Sequence, residues 1–135
     1  ILCAFDGSET GRRALDWTAR LARDEEGSTV CVVAVATSLE AAPHIPDAID
    51  PASSPERHHR NLADAQAQLK EAGVPAETVL KVGNPAEEII NAGDEGDFEL
   101  IVVGRTGAGG AIRFLMGSVS DRVVRHAGRP VMVVR

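Results

Sequence analysis

Five short apolar runs, each separated from the next by a helical pattern, fix most of what this chain can fold into. "ILCAF" (1–5), "TVCVVAVA" (29–36), "TVLKV" (78–82), "LIVVG" (100–104) and "PVMVV" (130–134) are rich in β-branched residues and bounded by turn formers. They read as strands. In three of them apolarity is continuous rather than alternating, which marks strands covered on both faces.

The segments between them carry helical periodicity and helix punctuation. Residues 8–27 place Ala14, Trp17, Leu21 and Ala22 at helical spacing, with Ser8 and Thr10 as capping residues and Gly27 as the stop. Residues 54–73 open with Ser54 as cap and Pro55 at the first helical position, carry the stripe Leu62, Ala65, Leu69 and Ala72, and close at Gly73. Residues 84–93 begin Asn84, Pro85, with Glu87 three positions after the cap. Residues 118–128 repeat that logic, with Ser118 as cap and Asp121 three residues on.

This order predicts an α/β fold: one doubly wound, five-stranded parallel sheet of order 3-2-1-4-5, with helices on both faces and right-handed crossovers. At 135 residues the chain suits one domain, 1–135, without repeat or linker. Residues Thr37–Ser53, with Pro43, Pro46, Pro51 and His44, are long for a strand-to-helix connection. They are either a lid over a site or an unstructured link.

Composition removes several function classes. A net charge of −6 speaks against a general binder of nucleic-acid backbones. One Trp, three Phe and no Tyr leave no aromatic platform for stacking bases. Cys3 and Cys31 sit inside apolar runs and read as buried thiols, without metal or CxxC spacing. No apolar run approaches membrane-spanning length, so no membrane partner and a cytoplasmic location are expected. His44, His58, His59 and His126 show neither metal nor triad spacing. His58 and His59 read as a solvated helix face, and His126 as a helix-end residue favoured by the dipole. No metal ligand and no catalytic residue is assigned.

In open parallel sheets, ligands sit beyond the carboxyl ends of the strands, where strand order reverses. Two segments suit that place. One is "AFDGSETG", where Asp6 follows the first strand directly. The other is "VVGRTGAGGAIRFLMGSVS" (102–120), with five glycines after the fourth strand. Gly104 and Gly107 permit a tight turn that exposes N–H groups, and Gly117 permits close backbone approach. Ser118 and Ser120 add hydroxyls at a helix start, where the peptide dipoles favour an anion. No GxxxxGK[ST] phosphate loop is present, and no GxGxxG follows the first strand.

Gly104-x2-Gly107-x9-Gly117-Ser118 resembles the ATP-binding signature of the universal stress protein family. "AFDGSETGRRALDWTARLA" and "GSVSDRVVRHAGRPVMVV" resemble that family's opening and closing segments, so the likeness spans the chain. It implies ATP or another adenine nucleotide, with Mg or Mn accompanying it. Asp6, with Ala4 beside it, would contact the adenosine part, and the main chain of Val35 would read adenine. Gly104, Gly107, Gly117 and Ser118 would hold ribose and phosphates, with Val119 and Ser120 completing the cradle. Arg105 either pairs with a phosphate or points to solvent.

The function implied is a nucleotide-binding stress-response or regulatory protein rather than an enzyme, since neither a phosphate lysine nor a base to orient water is evident. The alternatives are a slow ATP hydrolase, a self-phosphorylating enzyme, or a dimeric scaffold without nucleotide. Assembly follows from the last strand. In the expected order it is an edge, and "PVMVVR" protects it only with Arg135, so a homodimer through Val131–Arg135 is expected. The resemblance implies the same homodimer.

Overall fold

The computed structural model describes residues 1–37, 55–107 and 115–135. The elements follow the expected order: β1 (Leu2–Ala4), α1 (Glu9–Asp24), β2 (Val30–Ala36), α2 (Pro55–Glu71), β3 (Ala76–Val82), α3 (Pro85–Glu95), β4 (Ile101–Gly104), α4 (Ser118–His126) and β5 (Val131–Val134). The strands form one parallel sheet of order β3-β2-β1-β4-β5. Leu2 pairs with Cys31 of β2 and with Ile101 of β4, so β1 is the central strand.

Two apolar layers close the sheet. On one face Ala14, Leu15 and Ala19 of α1 and Leu62, Ala65 and Leu69 of α2 pack with Cys3, Val32, Ala34 and Val102. On the other, Ala86 and Ile89 of α3 and Val123 of α4 pack with Leu2, Val33, Ile101 and Val103. Alternate residues of one strand therefore serve opposite layers, which explains the continuous apolar runs. Leu2, Leu15, Leu69 and Ile101 are fully buried, and each such side chain contributes about 1.5–3 kcal/mol.

Local differences from the sequence expectation have physical reasons. α1 ends at Asp24, and Gly27 instead supplies the positive φ of the turn that follows, at +82°. α3 runs through Gly93 to Glu95, because that glycine is buried against Ile101, where a Cβ would strike the isoleucine side chain. β3 starts two residues early, at Ala76. At the last helix the cap is Gly117, not Ser118. Ser118 is already helical, and the Asp121 N–H donates to the Gly117 carbonyl at 2.9 Å. Ser54, and the lid-or-link question over Thr37–Ser53, lie outside the described residues apart from Thr37. Among the described residues no helix is long and apolar enough to cross a membrane.

Candidate functional site

Strand order reverses between β1 and β4, whose connections leave in opposite directions. The segments following these two neighbouring strands flank one crevice. The β1 side is built around Asp6. Its Oδ1 accepts the Ser8 N–H at 2.9 Å, while the Ser8 hydroxyl accepts the Gly11 N–H at 3.0 Å and caps α1. The cap expected at Ser8 is thus present. Thr10 does something else: its hydroxyl donates to the Thr106 carbonyl, and the Ser8 hydroxyl also reaches that carbonyl at 3.4 Å. The first turn of α1 is in this way stitched to the segment leaving β4.

Close approach explains the glycines on the β4 side. A Cβ on Gly104 would lie 2.8 Å from the Thr10 main-chain carbon and 2.9 Å from the Gly11 nitrogen. A Cβ on Gly107 would lie 2.9 Å from Asp6 Oδ2. Gly117 returns the chain to the same place: its N–H donates to the Arg105 carbonyl at 2.8 Å, and a Cβ there would lie 3.2 Å from that oxygen. Arg105 Nη1 donates to the Leu115 carbonyl at 3.3 Å, tying the two described ends of the glycine segment together.

α4 starts at this crossing. α1 and α3 have side-chain caps from Ser8 and Asn84, whereas the Gly117 cap of α4 carries none. The N–H groups of Ser118, Val119 and Ser120 precede the first intrahelical bond, which gives the helix start its partial positive charge. Ser120 is buried, and its hydroxyl lies 2.7 Å from the Gly104 carbonyl and 3.1 Å from that of Arg105. It fixes the helix start against the end of β4. Ser118 is exposed.

Ala4 closes β1 and pairs with Val33 of β2, two residues before Val35. The Cys31 N–H bonds the Ile1 carbonyl and the Phe5 N–H bonds the Val33 carbonyl, so the odd-numbered residues of β2 turn their main chain toward β1. Val35 is the next such residue, level with the point where the chain leaves β1.

Sequence reasoning missed two residues of α2. Asn61 Nδ2 donates to the Asp6 carbonyl at 3.2 Å and fills the space where a Gly7 Cβ would sit. Gly7 itself has φ +81°, so the turn needs glycine twice over. His58 was expected on a solvated face and is instead buried, at 7% exposure, while His59 is exposed. The spacing 58-62-65-69 puts His58 on the apolar stripe of α2, and that was the available signal. Burial, with the nearby Arg57 cation, pushes its pKa below the ordinary 6.5, against the pull of Asp6. Cys3 is buried as expected, and burial pushes its thiol up to about 11; Cys31 is only half-buried. His44 lies outside the described residues. Among those described, no group of three or more His, Cys, Asp or Glu is placed to hold a metal ion.

The fold is that of a doubly wound α/β protein with closely packed glycines at its switch point. The chain belongs to the universal stress protein family, whose model matches residues 1–135. Universal stress protein YxiE of Bacillus subtilis is 33% identical over 144 residues, covering 100% of this chain and 97% of that one. The solved structure of universal stress protein UspA from Lactobacillus plantarum superposes with a TM-score of 0.77 at 27% identity, covering 100% of this chain and 96% of that one. The universal stress protein from Archaeoglobus fulgidus in complex with dAMP superposes with a TM-score of 0.74 at 28% identity, with 100% and 96% covered.

Proposed function

We propose that this chain binds an adenine nucleotide, ATP in the first instance, in the β1/β4 crevice and works as a regulatory binding protein. One observation carries the reading. The N-terminus of α4 has a cap without a side chain, and it is folded back onto Arg105 and Thr106 beside Asp6. Donors held so close to a strand end make a seat for phosphate. The dAMP complex of the Archaeoglobus relative supports an adenine nucleotide as the occupant.

In this reading the main chain of Gly104, Gly107, Gly117, Ser118 and Val119 faces the phosphates and ribose, while Ser120 positions the cradle. Asp6 and the Val35 main chain serve the nucleoside, next to Ala4. Mg²⁺ or Mn²⁺ would arrive with the nucleotide, held mainly by phosphate oxygens and water, since among the described residues no protein cage converges. Binding rather than turnover is favoured because the two lysines stand elsewhere, Lys70 in the last turn of α2 and Lys81 on edge strand β3.

The same reading includes a two-fold homodimer through Val131–Arg135. Among the described residues, β5 has β4 on one side in the sheet order and no strand on the other. Trp17, at 43% exposure, lies one turn after Arg13, which reaches the Arg135 carbonyl. Val124, at 46%, lies on the side of α4 opposite Arg122, which pairs with Glu87 of α3. Both apolar side chains flank the open edge.

The direct test is to denature purified protein and identify what it releases by chromatography. An adenine nucleotide is expected. Protein that releases none, and takes none up when ATP is added, contradicts the proposal.

A further inference from the structure

His58 has no role in the reading above, yet it is the most unusual buried group near the crevice. It occupies a position of the α2 stripe otherwise filled by Leu62, Ala65 and Leu69. Its Nδ1 is buried and has no hydrogen-bond partner among the described residues. An orphaned polar atom costs about 1–3 kcal/mol where an apolar side chain would cost nothing, so packing alone does not account for a histidine here.

Its location points to a ligand. Asn61 meets the main chain of Asp6 and Gly7 where β1 ends. His58 is three residues earlier on the same helix, about 4.5 Å nearer its N-terminus. That end of α2 lies at the carboxyl side of the sheet, because α2 leaves β2 there. α2 packs mainly on β3 and β2, the latter the strand that carries Val35, and His58 feels the charge of Asp6, which puts it at the β2 side of the β1 turn.

We infer that His58 is a further contact of the crevice, its neutral imidazole accepting at Nδ1 a hydrogen bond from a ribose hydroxyl or the base amino group of the bound nucleoside. The inference rests on the nucleotide-binding reading and adds a specificity-determining side chain from α2. A proton on His58 removes the acceptor. The charged and titratable neighbours that set this protonation are Arg57 and His59 on α2 and Asp6 on the facing turn. Burial and Arg57 hold the ring neutral near pH 7.

The test uses three probes, ATP, adenosine and inorganic triphosphate, titrated calorimetrically into wild type, His58→Leu and His58→Asn. Leucine continues the apolar stripe, so the fold survives. Asparagine places an amide near the Nδ1 position. His58→Leu is expected to weaken ATP and adenosine about tenfold, the worth of one hydrogen bond, and to leave triphosphate unchanged. His58→Asn is expected to recover most of the loss. Adenosine has no phosphate to titrate, and its affinity for wild type is expected to fall between pH 7.5 and 5.5, but not for His58→Leu. Equal ATP affinity in wild type and His58→Leu overturns the inference and leaves the nucleotide reading standing. Equal weakening of triphosphate, or no rescue by asparagine, also overturns it, because the effect is then structural. A wild type that binds neither ATP nor adenosine overturns the underlying reading itself.

Discussion

Asp6 and Gly107 meet across the crevice: a Cβ on Gly107 would come within 2.9 Å of Asp6 Oδ2. The other carboxylate oxygen holds the Ser8 N–H, and the Asp6 carbonyl holds Asn61. One residue therefore joins the start of α1, the glycine segment after β4 and the side of α2. Its first role is to hold these three segments together, whatever it also contacts.

Asp6→Ala should accordingly lose stability as well as ATP affinity. The loss of the turn hydrogen bond at this half-buried position is worth about 1 kcal/mol. Asp6→Asn keeps an acceptor oxygen and should recover most of the stability. Urea unfolding of the two variants checks this, and an unchanged midpoint for Asp6→Ala would contradict it.

Gly104 is expected to be a stability position. Besides the Thr10 hydroxyl, a Cβ would meet the main chain of Thr10 and Gly11, which cannot rotate away. Gly104→Ala should push the first turn of α1 off β4 and cost about 1–3 kcal/mol. Thermal unfolding without nucleotide measures it; a melting temperature equal to wild type would show that the turn yields freely.

Strands and strand order were legible because continuous β-branched runs leave little choice but buried parallel strands, and the helix punctuation did the rest. The location proposed for the site rests on topology, through Asp6 and the glycines. What the sequence hid was tertiary. Gly93 reads as a stop until Ile101 is seen packed against it. Ser118 reads as a cap until Gly117 is seen bonded to Arg105. Asn61 acts across 55 residues of sequence, and His58 was misread because a histidine on an apolar stripe carries its meaning only through its surroundings.

Stability should fall at mildly acidic pH. The folded pKa of His58 lies below its ordinary 6.5. Between the two values the unfolded chain binds a proton that the folded one refuses, so stability is full above about pH 6.5 and declines as the pH drops below it. His58→Leu should flatten that slope in urea titrations from pH 7.5 to 5. A slope as steep as wild type would assign the effect to other groups.

Val133→Pro should separate assembly from folding. The Ile101 N–H bonds the Pro130 carbonyl and the Arg105 N–H bonds the Val134 carbonyl, so even-numbered residues of β5 serve β4 and the Val133 N–H points outward. Proline there removes only an outward donor, which an edge strand tolerates. Light scattering over a range of concentrations should find a dimeric wild type and a folded, monomeric variant. A monomeric wild type, or a variant still fully dimeric, would refute pairing through β5.

The central claim is that the crevice between β1 and β4 binds adenine nucleotide through the glycine cradle. Calorimetric titration with ATP, GTP and inorganic triphosphate, on wild type and on Gly117→Val, tests it most directly. A micromolar site corresponds to about 8 kcal/mol of binding free energy. The valine side chain would press on the Arg105 carbonyl and Thr106, already 3.2 and 3.3 Å from a Cβ, and spoil the cradle. The account predicts saturable binding by wild type with ATP preferred to both competitors, and loss of most of that affinity in folded Gly117→Val. Equal affinity for all three ligands, or ATP binding unchanged in the variant, would contradict it.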